Sequence, residues 1–261
     1  MDIASRVRAD SSPVVGPNPA VGERQFLDVW RIHLAIVKLP HERRRLYRWA
    51  LKTYTWDTMI RYAITSRALY TGGDEVQKAA LLRQASRWAA DSIDFIQLRE
   101  KDLPAAEIAA LARAILQSID SRNSSTKLLI NSRLDIAIAI GAVGVHLSAA
   151  PDRLTPAQVR NLFASARHPA PIITISCHTL DEVQRARENE VDAILFGPVF
   201  EKAVAGQVVS LGRGLDGLRA ACIASGNIPV YALGGVTPDN AARCLEAGAA
   251  GIAGIRLFHD S

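Results

Sequence analysis

The sequence predicts an α/β chain folded as a (β/α)8 TIM barrel, with a helical N-terminal extension and a truncated eighth helix. Three observations carry that expectation. From Met59 onward, short β-rich runs alternate with helical stretches, giving eight strands and seven intervening helices. Several of the strands are unbroken apolar runs, as strands buried on both faces must be. Eight such units fit into about 200 residues, the spacing of a compact barrel with short loops.

The strands are expected at 60–64, Phe95–Gln97, Lys127–Asn131, Gly144–Leu147, Ile172–Cys177, Ala193–Val199, Pro229–Leu233 and Gly251–Ile255. Helices are expected at 75–90, 104–119, 133–140, 155–164, 180–189, 214–224 and 237–247. Thr155-Pro156 and Thr237-Pro238 each pair an N-cap residue with a proline at the first turn. Thr179 precedes Asp181 and Glu182, acidic residues that suit a helix N-terminus. A doubly wound sheet is the alternative, but Thr71-Gly72-Gly73 matches its glycine-rich first turn poorly. Only Arg256–Ser261 follow the eighth strand, too few for an eighth helix.

Residues 1–58 differ in composition and set the domain boundary at 58/59. They hold ten Lys/Arg against six Asp/Glu, a net of +4, within a chain total of +5. The remaining 203 residues are therefore nearly neutral, which does not support a nucleic-acid partner. Residues 9–22 are rich in Pro, Gly and Ser and read as a disordered lead. Leu27, Trp30, Leu34 and Val37 share one face of an amphipathic helix, and Pro40 stops it. A second short helix is expected within 41–56, and the two helices could cover the gap left by the missing eighth helix. Two readings stay open for 1–58: an appended helical extension, or translated sequence upstream of a natural start at Met59.

Cys177, Cys222 and Cys244 form neither a disulfide framework nor a zinc motif, so reduced thiols in a cytoplasmic protein are expected. No stretch approaches the roughly 20 apolar residues of a membrane span, so no membrane partner is expected.

In a barrel, chemistry sits where the strands end. Gln97, Arg99 and Lys101 follow the second strand and point the same way by alternation. An amide, a guanidinium and an ammonium converging at the barrel mouth suit a phosphate or diphosphate. Asn131-Ser132 ends the third strand, and His146 near the end of the fourth reads as a structural histidine. Ser176 and His178 end the fifth strand on one side, with His178 the candidate acid/base and Cys177 facing away. Gly234-Gly235, followed by Thr237-Pro238, opens a helix after the seventh strand. With the backbone of Ile255 and Arg256 it forms a candidate anion site.

These strings together resemble the thiamine phosphate synthase/TenI family from about Arg61 to Phe258. The most specific pieces are Gln97-Leu98-Arg99-Glu100-Lys101, Leu129-Ile130-Asn131-Ser132-Arg133, Gly144-Val145-His146-Leu147, Ser176-Cys177-His178-Thr179, Phe196-Gly197-Pro198-Val199-Phe200 and Ala232-Leu233-Gly234-Gly235-Val236-Thr237-Pro238. The family's synthases join a pyrimidine-methyl diphosphate to a thiazole phosphate and release pyrophosphate. The resemblance implies that Gln97, Arg99, Lys101 and Asn131 hold the pyrimidine diphosphate. It implies that Gly234, Gly235, Ile255 and Arg256 hold the thiazole phosphate. The partners implied are small phosphorylated thiamine precursors; self-association stays open.

The chain departs from the synthase pattern in three places. Ser132 stands where synthases have an aspartate, and Asp152 is offset by about one residue from a second acidic magnesium ligand. Lys202-Ala203-Val204-Ala205 replaces a Thr- and Lys-containing phosphate loop. Mg2+ is therefore an open cofactor, with no metal ligand assigned. TenI-type thiazole tautomerases need one phosphate site, a proton-shuttling histidine matching His178, and no metal. That reading is the first alternative, and a non-catalytic thiazole phosphate or thiamine phosphate binding protein is the second. The retained Gln97, Arg99 and Lys101 favour the synthase.

Overall fold

The computed structural model describes residues 58–150, 154–204 and 207–259, and for 202–204 and 207–210 the backbone alone. The expected helices of the N-terminal extension, their covering role and Asp152 lie outside the described residues. Among the described residues ten strands run in chain order: β1 (Ile60–Ile64), β2 (Phe95–Leu98), β3 (Lys127–Asn131), β4 (Gly144–Ser148), β5 (Ile172–Cys177), β6 (Ala193–Phe196), β7 (Lys202–Val204), β8 (Gln207–Ser210), β9 (Val230–Leu233) and β10 (Gly251–Gly254). Seven α-helices lie between them: α1 (Asp74–Ala90), α2 (Ala105–Ser121), α3 (Leu134–Ile140), α4 (Pro156–Ser165), α5 (Leu180–Glu188), α6 (Gly214–Ala224) and α7 (Pro238–Glu246).

Eight strands close a parallel barrel in the order β1-β10-β9-β6-β5-β4-β3-β2. The pairing of Ile60 with Gly251 and of Tyr62 with Ala253 seals the seam between first and last strand. The sixth strand stops at Phe196, shorter than the expected Ala193–Val199. Beyond it the chain forms an antiparallel hairpin, β7 with β8, that the apolar pattern did not announce.

The pleat divides each strand between two cores. Outward residues such as Ile96, Ile130, Val145 and Ile194 pack against the helices in the larger core. Helix α2 shows why such a helix forms: Ile108, Leu111, Ala112, Ile115 and Ile119 recur at steps of one, three and four and are all buried. Truncating Ile115 to Ala would cost about 2–5 kcal/mol. Inward residues fill the barrel itself. Tyr62, Leu129, Leu195, Tyr231 and Ala253 form its second, smaller core, with Phe95 and Ile172 packed against them.

The helix starts follow the sequence closely. Thr155 with Gln158 and Thr179 with Glu182 form reciprocal capping boxes, and at the start of α7 the Thr237 N–H donates to the Asn240 side-chain oxygen at 2.9 Å. Among the described residues no helix follows β10. The chain instead turns back onto α1, where the Trp88 indole and the Gln84 amide both donate to the Phe258 carbonyl, at 2.6 and 3.2 Å. The His259 ring packs 5.3 Å from Trp88 and 5.4 Å from Tyr70, so a short aromatic latch anchors the end of the barrel.

Candidate active site

Along several strands the inward residues change from apolar to polar toward the C-terminal end. β2 reads Phe95, Gln97 and then Arg99; β5 reads Ile172, Thr174, Ser176 and then His178. The polar ends open onto a cavity of about 610 Å³. Gln97, Arg99, Lys101, Asn131, Ser176, His178 and Ile255 all line it. Seven of the ten candidate residues are thus gathered around one mouth. Gly234, Gly235 and Arg256 are not in its wall, although their neighbours Leu233 and Ile255 are. Arg133 also lines the cavity, paired with Asp135 at 2.5 Å. Three guanidinium or ammonium groups therefore face one space, an arrangement suited to a polyanion.

Below the mouth a chain of hydrogen bonds runs through the barrel interior. The Gln97 amide nitrogen donates to the Tyr62 hydroxyl at 3.0 Å, and that hydroxyl lies 3.1 Å from Thr174 Oγ1. Thr174 Oγ1 lies 2.8 Å from His146 Nδ1, and His146 Nε2 lies 2.8 Å from Ser176 Oγ. Strand register produces the chain, since His146 sits opposite Thr174 and Ser148 opposite Ser176. Burial first, and the Arg99 charge second, pull the His146 imidazole down to about 3, so it is neutral near pH 7. Burial pushes the Tyr62 phenol up and keeps it protonated.

His178 donates from Nδ1 to the Gly197 carbonyl, which leaves Nε2 as its acceptor nitrogen. Cys177 faces the opposite side and is fully buried, with its thiol pushed up to about 12 by burial. Such a thiol is a poor nucleophile.

The loop carrying Arg99 and Lys101 is held from behind. Glu100 is buried and accepts from the Thr65 hydroxyl at 2.7 Å and from the Arg67 guanidinium at 3.2 Å. Thr65 Oγ1 in turn accepts the Arg99 backbone N–H at 2.9 Å. Arg67 also grips Asp102 with two nitrogens and Asp74 with a third. Alternation along a strand could point Arg99 and Lys101 into the mouth, but it assigns no task to the buried Glu100 between them. Tyr62 and Thr174 escaped notice for a related reason. Each lies inside a largely apolar strand, and only inward position marks a lone polar group there as part of a site.

Gly234 and Gly235 have φ of +91° and +65°, in the left-handed region. A Cβ on Gly234 would meet Pro198 Cα at 2.7 Å, and one on Gly235 would meet Phe200 Cβ at 2.7 Å. The turn therefore needs glycine for backbone geometry and for packing against the segment after β6. Arg256 is exposed at the rim. Lys202–Val204 lies in the hairpin, and its side chains lie outside the described residues.

The described residues do not fit a magnesium site. Among them no three His, Cys, Asp or Glu side chains gather where a metal could be held. Among the described residues Glu100 is the only carboxylate in the cavity wall, and its oxygens are engaged by Thr65 and Arg67. Ser132, with φ of +57°, offers a hydroxyl where the resemblance calls for an aspartate.

A closed parallel barrel with a polar cavity at its C-terminal mouth defines the class of TIM-barrel enzymes, whose active sites lie at that face. The comparisons narrow it. A family model described as thiamine monophosphate synthase matches residues 62–258, and the chain belongs to that family. The thiamine-phosphate synthase of Moorella thermoacetica is 38% identical over 157 residues, covering 60% of this chain and 70% of that protein. The thiamine-phosphate synthase of Caldanaerobacter subterraneus subsp. tengcongensis is 32% identical over 200 residues, covering 76% and 86%. Among solved structures, thiamine phosphate pyrophosphorylase from Pyrococcus furiosus superposes with a TM-score of 0.60 at 27% identity, covering 79% of this chain and 88% of that one.

Proposed function

We propose that this protein couples a pyrimidine-methyl diphosphate to a thiazole phosphate and releases pyrophosphate. The observation that carries the reading is the convergence of Arg99, Lys101, Arg133 and Asn131 on one cavity of about 610 Å³. That volume suits a small-molecule site. The bond between the pyrimidine methylene carbon and the diphosphate oxygen breaks, and its electron pair leaves with the oxygen. The thiazole nitrogen then donates its lone pair to the methylene carbon, forming the new C–N bond. The product carries the positive charge on the thiazolium ring, so the bond exchange requires no proton transfer. The protein's task is to stabilise the departing negative charge and to hold the two rings in line. Arg99 and Lys101 are assigned to the diphosphate, with Asn131 and Gln97 orienting the pyrimidine half. The Gly234-Gly235 turn and the Ile255-Arg256 backbone are assigned to the thiazole phosphate.

A tautomerase would use His178 to move a proton, and the acceptor Nε2 of His178 keeps that chemistry available. Two features favour the synthase: the relatives carry the synthase name, and a tautomerase has no diphosphate to occupy Arg99 and Lys101. The test is incubation of the full chain with both substrates, with and without magnesium, while pyrophosphate is measured. Release that requires both substrates supports the reading. Absence of release under every condition, with saturable thiazole phosphate binding, would replace it with the binding-protein reading.

A further inference from the structure

The buried chain from Gln97 to Ser176 has a direction, and the direction follows from counting protons. An amide nitrogen can only donate, so the Tyr62 oxygen accepts from Gln97 at 3.0 Å. Tyr62 therefore has its single proton free for Thr174 Oγ1, 3.1 Å away. Thr174, having accepted, directs its own proton to His146 Nδ1 at 2.8 Å. Were Nδ1 protonated instead, the Thr174 proton would face another proton in a fully buried site, and an unsatisfied buried donor is costly. His146 is then the Nε2–H tautomer, and it donates to Ser176 Oγ at 2.8 Å. Ser176 accepts from His146 and is left with one proton, which it can turn toward the cavity.

We infer that Tyr62, Thr174 and His146 are positioning residues that fix Ser176 as a hydrogen-bond donor to an anionic oxygen of the bound ligand. The wire begins and ends at the cavity wall, where Gln97 and Ser176 both line it, with His146 beside Ser176. Tyr62 and Thr174 are fully buried and His146 is nearly so, and both His146 ring nitrogens are taken by Thr174 and Ser176, so the order of donors is set by protein partners. A serine whose oxygen already accepts a bond is a better-directed donor than one free to rotate. Under the proposed reaction, which this inference rests on, the acceptor is the leaving diphosphate.

The test combines a spectroscopic and a kinetic readout. Protein labelled with 15N at histidine is examined by NMR, with the His146 signals assigned through His146→Gln. The wild type should show His146 as the Nε2–H tautomer from pH 5 to 8. Tyr62→Phe keeps the ring but removes the proton that commits Thr174, so both tautomers should appear. The same variant should lower kcat about tenfold with little change in KM. In a Ser176→Ala background the further loss from Tyr62→Phe should shrink to less than about twofold, because there is no serine left to orient. An equal loss in both backgrounds, or a wild-type His146 that is the Nδ1–H tautomer, overturns the inference. If no pyrophosphate is released but the tautomers behave as stated, the wire stands and the proposed reaction falls. Thr174→Val is the second probe should Tyr62→Phe fold poorly, and it should reproduce the kinetic pattern.

Discussion

Arg67 and Glu100 form an ion pair of 3.2 Å that ties the segment after β1 to the loop after β2, with the Glu100 side chain almost fully buried. Because Glu100 also takes the Thr65 hydroxyl, and Thr65 takes the Arg99 N–H, the pair sets where Arg99 and Lys101 sit. Glu100→Gln keeps an acceptor for Thr65 but removes the charge facing Arg67. Arg67 retains Asp74 and Asp102, so the cost should be about 1–3 kcal/mol rather than that of a fully stranded charge. Urea denaturation measures the stability. The KM for the pyrimidine diphosphate should rise more than kcat falls, since the loop's position is what changes. Unaltered stability and KM would show that the loop is held by other contacts.

The neutral state of His146 makes stability pH-dependent. Its folded pKa is depressed to about 3 from an ordinary 6.5. Between those values the unfolded chain binds a proton that the folded chain does not. Stability from this residue is therefore full above about 6.5 and falls as pH drops toward 3, at a slope of up to about 1.4 kcal/mol per pH unit. Replacing His146 by Gln should remove that part of the slope, even if it lowers stability at pH 7. Denaturation of both proteins at pH 4, 5, 6 and 7 tests this, and parallel curves would mean that His146 protonates in place.

Backbone geometry at the turn after β9 gives a third expectation. Gly234→Ala would place a Cβ 2.7 Å from Pro198 Cα at a φ of +91°. Left-handed geometry alone costs about 1–2 kcal/mol for a residue with a Cβ, and the backbone contact adds to it. Thermal unfolding should fall by several degrees. Arg256→Ala, at the exposed rim, should leave unfolding unchanged and weaken thiazole phosphate binding by roughly 1.5–3 kcal/mol if its guanidinium meets the phosphate. Titration calorimetry checks the second value.

Most of the barrel was legible because periodicity reports burial. Strands hidden on both faces are apolar throughout, and the capped helices between them carry Thr-Pro or Thr with a later Glu. The hairpin of β7 and β8 was illegible because it belongs to neither layer, so no apolar pattern is required of it. The mouth was legible where charge follows a buried strand, as at Arg99 and Lys101. The polar wire was not, because its order depends on which strands are neighbours. His146 reads as a lone histidine until register sets it opposite Thr174, 28 positions away. Glu100 shows no role in the sequence, since its partner Arg67 lies on another strand's loop.

Ser132 tests how far the synthase pattern can be restored. Its φ of +57° is left-handed, a conformation that aspartate and asparagine tolerate better than most residues. Its N–H donates to the His146 carbonyl at 2.9 Å, so the backbone is held whatever the side chain. Ser132→Asp should therefore fold with nearly unchanged stability and bring a carboxylate to the rim beside Asn131. Magnesium needs oxygen ligands in near-octahedral array, several of which can be water or substrate phosphate. One added carboxylate should then lower the magnesium concentration that gives half-maximal pyrophosphate release. The wild type should need more magnesium or respond to it weakly. The measurement is a magnesium titration of both proteins at saturating substrates. If the wild type already saturates at low magnesium and a chelator abolishes its turnover, a carboxylate outside the described residues supplies the site, and Ser132→Asp should bring no gain.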